Sequence, residues 1–263
     1  MITLTTGATM VARTQRLTKR QQRLAEKGTV KINTKAIPTI KQQHFDLKHI
    51  YPITDNQVIT FDAYDRGDNI FLHGCAGTGK TFISFYLALR EVMSGETKRK
   101  KVVIIRNAQS SKDIGFLPGS EKEKLAVYEA AYKGICAELF HRDDAYEILK
   151  QKGILEFHST SFLRGTTIED AIIIIDECQN QRYVELRTVL TRTGDHSRVV
   201  LCGDTKQDDL TSDRYKESSG LRDIMNVFKR MDGMTTVEFD VDDIVRSGFV
   251  RDFIIAENEL GLY

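Results

Sequence analysis

The sequence has few cysteines and no long apolar run, and both absences narrow the classes of protein it can belong to. Its four cysteines, Cys75, Cys136, Cys178 and Cys202, lie far apart, so no CxxC or Cys/His cluster predicts a zinc site or a disulfide framework. No apolar stretch approaches the roughly 18 residues of a membrane span, and the N-terminus has no apolar signal-peptide segment. We therefore expect no membrane partner and a reducing, cytoplasmic location.

The composition favours a folded core and hides an uneven distribution of charge. Of the 263 residues, 41% are hydrophobic and 29% are charged, as in a soluble globular protein of one large or two small domains. Residues 1–50 contain ten Lys or Arg and two acids, whereas the rest contains 28 basic and 35 acidic side chains. We expect a basic, partly flexible arm over 1–45 and a folded domain over 46–263. The arm fits either a polyanionic partner such as nucleic acid or a solvated segment without a partner.

Strand and helix patterns alternate from residue 69 onward. Short apolar runs predict strands, and helical spacing of apolar residues predicts the helices between them. The predicted strands are 69–73, 101–105, 154–158, 171–175, 198–202 and 235–239, and the predicted helices are 80–93, 121–150 in two pieces, 182–191, 219–231 and 248–258. Residues 41–68 are interpreted as a lead-in, and one short helix is expected near 14–27. The alternation predicts an α/β fold, a three-layer doubly wound parallel sheet in a single core domain.

Residues 74–81 read GCAGTGKT and match the phosphate-loop pattern G-x-x-x-x-G-K-[ST]. They follow a predicted strand and open a predicted amphipathic helix, which is the context that this motif requires. In such a loop, backbone N–H groups and the helix N-terminus bind phosphate oxygens, the lysine contacts the β- and γ-phosphates, and the threonine hydroxyl binds Mg²⁺. The predicted nucleotide-binding residues are Gly74, Cys75, Ala76, Gly77, Thr78, Gly79, Lys80, Thr81 and Phe82.

Two later apolar strands end in acidic residues. Residues 172–180 read IIIIDECQN, a β-branched run that predicts a buried strand with two carboxylates at its carboxyl end, where open α/β sheets bind ligands. We predict that Asp176 holds Mg²⁺ and that Glu177 orients and deprotonates a water molecule. In LCGDTKQDDL (201–210), Gln207 is the predicted sensor of the γ-phosphate. Gln57, ahead of the loop, either reads an adenine edge with its amide or lies in a turn.

These segments together resemble the PhoH family of ATPases, which are related to superfamily 1 helicases. The resemblance covers about residues 50–260 and rests on YPITDNQ (51–57), GCAGTGKT (74–81), RNAQSSKDIGFLPG (106–119), LRGTT (163–167), IIIIDECQN (172–180), LTRTG (190–194), CGDTKQDDL (202–210), SSGL (218–221) and DDIVRSGFV (242–250). It implies a RecA-like P-loop domain that binds and hydrolyses ATP with Mg²⁺, and a role as an ATP-dependent RNA helicase. The family is associated with phosphate starvation in bacteria, and versions are common in bacteriophages.

One departure from the family pattern lies after the second predicted strand. The family usually has Arg-Pro at this point, whereas here Arg106 is followed by Asn107. Helicase relatives contact a nucleic-acid backbone with this loop. The predicted nucleic-acid contacts are Arg106, Lys112, Phe116 and Arg164. Phe116 either stacks on a base or packs under its own loop.

The sequence has room for one core domain, which would leave one side of a bound γ-phosphate open. Two-domain helicases supply an arginine to that side from the second domain, and a ring of identical subunits supplies it from a neighbour. We therefore predict a hexameric ring. Arg246 and Arg192 are the preferred donated residues, and Arg164 is a further candidate.

Three functions are compatible with these motifs. A motor driven by ATP on single-stranded RNA or DNA fits best, and a slow nucleotide-dependent switch acting on a protein partner is the main alternative. A small-molecule kinase fits less well, because adjacent Asp and Glu residues followed by Gln indicate water as the phosphate acceptor. Stimulation of ATP hydrolysis by nucleic acid distinguishes the motor from the switch.

Overall fold

The sheet of this protein contains six strands. The computed structural model describes residues 45–107, 121–160, 165–204 and 220–261, without the side chains of 121–125. Within these ranges the strands are β1 (Asn69–Gly74), β2 (Lys101–Arg106), β3 (Leu155–Ser159), β4 (Ala171–Asp176), β5 (Arg198–Cys202) and β6 (Met234–Phe239). The predicted strands differ from these bounds by at most one residue at either end.

All neighbouring strands are parallel, in the order β3-β2-β4-β5-β1-β6. Parallel strands need crossover connections, so helices cover both faces and the central strands are buried on both sides. All six residues of β4 are buried, which explains the uninterrupted apolar run of residues 171–175 ahead of Asp176. Because the strands run in one direction, the carboxyl ends of β1, β2, β4 and β5 lie at one edge of the sheet, and Arg106 is paired with Asp176 there.

Seven α-helices within the described ranges surround the sheet: α1 (Asp55–Arg66), α2 (Lys80–Ser94), α3 (Glu121–Phe140), α4 (Ala145–Gln151), α5 (Tyr183–Leu190), α6 (Leu221–Phe228) and α7 (Phe249–Glu259). Helices α1 to α4 pack with Ile172 and Ile174 on one face. Helices α5 and α6 pack with Ile173 and Ile175 on the other face. The predicted three-layer arrangement is confirmed. None of the helices in these ranges is both long and apolar enough to cross a membrane.

Helix α1 lies within residues 41–68, for which the sequence predicts only a lead-in to the folded domain. Thr54 caps it, because Thr54 Oγ1 accepts a hydrogen bond from Gln57 N, and it ends at Gly67, whose φ of 100° suits glycine. Phe61 and Tyr64 bury its apolar side in the core. The Thr-x-x-Gln spacing and the glycine are recognisable start and stop signals, but the apolar residues between them repeat too weakly to predict the helix from periodicity.

Candidate active site

The backbone between β1 and α2 follows a path that requires glycine at two positions. Gly74 has a φ of 108°, and a Cβ at this residue would lie 2.1 Å from Phe239 O. Gly79, which precedes α2, has a φ of 84°. Residues 74–79 therefore turn around the N-terminus of α2, where free N–H groups and the helix dipole attract anions.

Lys80 is the first residue of α2, and its side chain bends back over this loop. Its Nζ donates hydrogen bonds to Gly74 O at 2.8 Å and to Cys75 O at 2.6 Å. Burial lowers the pKa of the Lys80 ammonium, while the negative charge of Asp204 opposes that lowering. The ammonium is thus held beside the loop by neutral carbonyl groups, which a phosphate can replace as a stronger, charged partner.

The Asp176 carboxylate, at the end of β4, accepts hydrogen bonds from two hydroxyl groups. Thr81 Oγ1 donates to Asp176 Oδ1 at 2.9 Å, and Tyr132 OH donates to Asp176 Oδ2 at 2.5 Å. Carboxylate and hydroxyl oxygens are the ligands that Mg²⁺ prefers. Within the described ranges, no three His, Cys, Asp or Glu side chains form a group that could hold a metal. Nucleotide-bound Mg²⁺ needs only one or two protein oxygens besides phosphates and water, so Thr81 and Asp176 fit this ion.

Glu177 follows Asp176 in a left-handed backbone conformation with a φ of 51°. Such a conformation costs a non-glycine residue about 1 kcal/mol or more and is concentrated at functional sites. Glu177 Oε2 accepts a hydrogen bond from Gln179 Nε2 at 2.7 Å, and its Oε1 lies 3.9 Å from Arg106 Nη2. Burial and then the charge of Asp176 raise the pKa of Glu177, while Arg106 lowers it. A carboxylate with a raised pKa is suited to accept a proton from water.

Short polar contacts fix the segments that follow β2, β4 and β5. Gln179 Oε1 accepts a hydrogen bond from Asp204 N at 3.0 Å, which ties the end of β5 to the loop after β4. Asn107 Nδ2 donates to Asn180 O at 2.7 Å, which ties the end of β2 to the same loop. A proline at position 107, as in the usual family pattern, has no side-chain amide to make this bond.

Gln57 lies under the loop, with 3% of its surface exposed. Its Nε2 donates to Thr78 O at 3.2 Å, and its Oε1 accepts from Ile53 N at 3.0 Å. Both ends of the amide therefore bind the chain's own backbone, and a role in reading adenine stays a prediction. Of the other predicted nucleotide-binding residues, Cys75 packs in a small apolar cluster and Phe82 packs against the main core.

Three of the four arginines predicted from the sequence belong to the described residues, and they lie in three different places. Arg246 lies at the loop of its own chain, since a Cβ at Gly77 would be 3.1 Å from Arg246 Cγ. Arg192 lies at the opposite edge of the sheet, where its carbonyl accepts a hydrogen bond from Ile168 N, ahead of β4. Arg106 lies beside the acids, with its guanidinium 5.4 Å from the ring centre of Tyr128.

Four predicted site residues lie outside the described residues: Lys112, Phe116, Arg164 and Gln207. Two side chains that were not among the predicted site residues also lie in the site. Gln179 belongs to the IIIIDECQN segment, so its proximity to Glu177 was a signal in the sequence. Tyr132 had no such signal, because it lies in a helix 44 residues before Asp176 and meets it only in the folded chain.

The family relationship follows from direct comparison with known proteins. The family model described as PhoH-like protein matches residues 49–257. The chain belongs to the PhoH-like family.

Relatives with this PhoH-like sequence occur in distant bacteria. The PhoH-like protein of Bacillus subtilis is 34% identical over 195 residues, which cover 74% of this chain and 59% of that protein. The PhoH-like protein of Mycobacterium leprae is 32% identical over 226 residues, which cover 82% of this chain and 62% of that protein. The chain therefore spans less than two thirds of the length of either relative.

Likeness to solved structures is more distant. The large terminase of a thermophilic bacteriophage matches with a TM-score of 0.43 and 11% identity, over 79% of this chain and 50% of that one. The SWI2/SNF2 ATPase core of Sulfolobus solfataricus, solved with double-stranded DNA, matches with a TM-score of 0.39 and 14% identity, over 74% and 47%. The parallel sheet and the loop between β1 and α2 give this PhoH-like chain the RecA-like P-loop fold that its sequence predicts.

Proposed function

We propose that this PhoH-like chain is a Mg²⁺-dependent ATPase that acts in the cytoplasm as a helicase or remodelling motor on single-stranded RNA or DNA. The observation that carries the ATPase part is the meeting of three features at one edge of the sheet. These are the Lys80 ammonium on the glycine loop, the Thr81–Asp176 hydrogen bond, and Glu177 beside them. The nucleic-acid part rests on the basic N-terminal sequence and on the family.

Each side chain of the site has its own proposed role in hydrolysis. Lys80 Nζ exchanges its carbonyl partners for β- and γ-phosphate oxygens. Thr81 and Asp176 would hold Mg²⁺, which would supply positive charge to neutralise the phosphates. Glu177 orients the attacking water and takes its proton, for which its half-buried position and raised pKa suit it. Gln207 is the proposed γ-phosphate sensor, and Gln57 braces the loop through Thr78 O.

Water, rather than a small molecule, is the proposed phosphate acceptor. Glu177 is fixed on one oxygen by Gln179 and approached on the other by Arg106. Such a fixed carboxylate next to the Mg²⁺ anchor is an arrangement for deprotonating a water molecule. It argues against the small-molecule kinase that the phosphate loop alone would permit.

The proposed strand contacts are those predicted from the sequence: Arg106, Lys112, Phe116 and Arg164. Arg106 is of special interest, because its guanidinium lies 3.9 Å from Glu177. A nucleic-acid phosphate that attracted Arg106 would change the charge felt by the catalytic acid. Binding of a strand and hydrolysis of ATP would then be coupled through one side chain.

The decisive experiment measures steady-state ATP hydrolysis with Mg²⁺ alone, with single-stranded RNA and with single-stranded DNA. We expect one polymer to raise turnover, and Glu177→Gln to abolish turnover under all three conditions. Hydrolysis that neither polymer changes would contradict the motor. Absence of hydrolysis in the unaltered chain would contradict the ATPase itself.

We propose further that the working form is a ring, hexameric by analogy with other ring motors, in which the two arginines have different tasks. Arg246 completes the site of its own chain, since its Cγ would lie 3.1 Å from a Cβ at Gly77 in the same chain's loop. Arg192 serves the site of a neighbour, because the length of β4, about 17 Å, separates its edge of the sheet from Asp176. A donated arginine is worth about 10³- to 10⁵-fold in turnover.

Mixing inactive variants tests this division of tasks. Lys80→Ala mixed with Arg192→Ala should recover activity, because the Arg192→Ala subunit keeps its lysine and receives Arg192 from its neighbour. Lys80→Ala mixed with Arg246→Ala should not recover, because both defects stay within their own sites. The reverse pattern would overturn the assignment, and a fully active monomer by mass measurement would overturn the ring.

A nucleotide-dependent switch is the second candidate, and one observation favours it. Helix α7 begins three residues after Arg246 and exposes apolar side chains: Phe249 is 82% exposed and Phe253 is 55% exposed. An exposed aromatic pair beside the phosphate loop would suit a protein partner that responds to the bound nucleotide. Slow hydrolysis without stimulation by either polymer would support this function.

A further inference from the structure

The hydrogen bond from Tyr132 to Asp176 lies in an almost water-free part of the molecule. Tyr132 is 1% exposed and Asp176 is 3% exposed. The hydroxyl donates to Oδ2 at 2.5 Å, on the carboxylate oxygen that Thr81 does not contact. A tyrosine hydroxyl carries its proton at neutral pH, so Tyr132 is the donor in this bond.

The packing around the ring leaves the hydroxyl little freedom. Tyr132 lies in the middle of α3, its ring meets Phe85 edge to face at 6.1 Å, and it lies 5.5 Å from Phe157. Phe85 belongs to α2, the helix that the phosphate loop opens, and Phe157 belongs to β3. Side chains from three elements thus determine where the Tyr132 oxygen lies, and a buried aromatic pair adds rigidity through its preferred geometry.

Nucleotide binding would affect the two hydrogen-bond donors to Asp176 differently. Thr81 is a proposed Mg²⁺ ligand, so its hydroxyl would be shared with the ion. Tyr132 donates to the far oxygen and would keep its bond. Among the described residues, Asp176 forms no ion pair, so both donors orient its charge without neutralising it. Groups of this kind behind a metal ligand set its orientation and its affinity for the ion.

We propose that Tyr132 is a positioning residue that fixes the Asp176 carboxylate with Oδ1 toward Thr81 and the metal position. This inference rests on the proposed function and deepens it, because it names the side chain that determines how well the site uses Mg²⁺. A purely structural tyrosine, whose hydroxyl merely satisfies a buried oxygen, would leave the dependence on Mg²⁺ unchanged when the hydroxyl is removed.

The test compares the unaltered chain with Tyr132→Phe, which keeps the ring contacts and removes only the hydroxyl. Binding of a fluorescent ATP analogue is measured by titration in EDTA and at increasing Mg²⁺. We expect equal affinity in EDTA and an increase of about ten-fold in the Mg²⁺ concentration that gives half of the metal-dependent gain. In turnover, saturating Mg²⁺ should restore most of the activity.

Tyr86→Phe is the matched control. Tyr86 is a buried tyrosine of α2 in the same apolar cluster, and it packs against Phe61 of α1, away from the acids. It should leave the Mg²⁺ dependence as it is. An equal Mg²⁺ requirement in Tyr132→Phe and the unaltered chain would overturn the inference. Failure of the unaltered chain to bind the analogue would instead contradict the proposed ATPase.

A second variant covers the case in which Tyr132→Phe does not fold. Phe157→Leu keeps the hydroxyl but removes a ring that holds Tyr132 in place. A raised Mg²⁺ requirement in this variant, with unchanged affinity in EDTA, would support the positioning role. An unchanged requirement would overturn it, because the orientation of the hydroxyl would then not matter.

Discussion

Two buried tyrosines of this protein donate their hydroxyl to a carboxylate, at opposite edges of the sheet. Tyr132 donates to Asp176 at 2.5 Å at the carboxyl edge, and Tyr64 donates to Glu91 at 2.7 Å at the amino edge. The other neighbours of the two carboxylates differ. Asp176 has only the hydroxyl of Thr81 as its other hydrogen-bond partner among the described residues, whereas cations surround Glu91.

The amino-edge carboxylate is neutralised within the protein. Glu91 forms ion pairs with Arg99 at 2.6 Å and with Arg198 at 3.0 Å. Burial alone would raise the pKa of Glu91, but the hydrogen bonds from Tyr64 and Arg99 and the charge of Arg198 lower it below 4.5. Buried charge that finds its partners inside the chain is structural, whereas the charge of Asp176 has neutral donors and is available to a ligand. We infer that the comparison separates a stability site from a functional site.

The largest expected effect is at the carboxyl edge. Glu177→Gln removes the proposed proton acceptor but keeps the shape and the hydrogen-bonding ability of the side chain. We expect ATP turnover to fall by about 10²- to 10⁴-fold, with nucleotide affinity and the free energy of unfolding nearly unchanged. Steady-state kinetics and denaturant unfolding measure the two quantities. Turnover close to that of the unaltered chain would remove Glu177 from the mechanism.

The corresponding substitution at the amino edge, Glu91→Gln, should lower the stability of the protein and leave its turnover unchanged. Glu91→Gln leaves Arg198, which is 3% exposed, without its charged partner. We expect the free energy of unfolding to fall by about 3 kcal/mol, with turnover per folded molecule retained. A variant as stable as the unaltered chain, measured by urea unfolding, would show that the ion pairs do not hold this edge together.

Lowering the pH should decrease the unfolding free energy of the unaltered chain more than that of the Glu91→Gln variant. Because the folded-state pKa of Glu91 is depressed, its stabilising contribution is present above the unfolded-state value near 4.5 and is lost as the pH falls through the folded-state value. The difference in unfolding free energy between the two proteins should therefore shrink as the pH drops below about 5. A difference that stays constant from pH 7 to pH 3 would contradict this assignment.

The smallest expected effect is that of Tyr64→Phe, which tests whether the two tyrosines have different roles. Tyr64→Phe removes one of three donors to Glu91, so we expect a loss of about 1 kcal/mol in unfolding free energy and no change in Mg²⁺ dependence. Tyr132→Phe should instead change the Mg²⁺ dependence. If both variants changed stability alone, the two pairs would be equivalent and the functional contrast would be wrong.

Much of the fold could be predicted from the sequence, because the four central strands β1, β2, β4 and β5 are buried along almost their whole length. Continuous β-branched runs such as residues 172–175 are typical of a sheet covered on both faces, and the apolar residues of 80–93 have helical spacing. Helix α1 was missed because its stability comes from Thr54, Gly67 and the packing of Phe61, and not from a regular apolar stripe.

The candidate site was predictable where its chemistry is local in the chain. The phosphate loop and the adjacent acids are short motifs, so their residue types and order carry the information. The places of Arg246 and Arg192 were not predictable, because a single arginine in a loop has no periodic or spacing signal. Their assignment to different edges depends on how the chain after β6 returns to Gly77 and on where β4 begins.

The sequence by itself determined the layered α/β fold, the loop for phosphate and the two acids, because each depends on residues that are close together along the chain. Which carboxylate is paired with arginines and which with neutral hydroxyl groups depends on the folded chain. Arg198 reaches Glu91 across 107 positions, and Tyr132 reaches Asp176 across 44. Burial magnifies the effect of each such partner on a charge, so the functional difference between the two carboxylates arises when the chain folds.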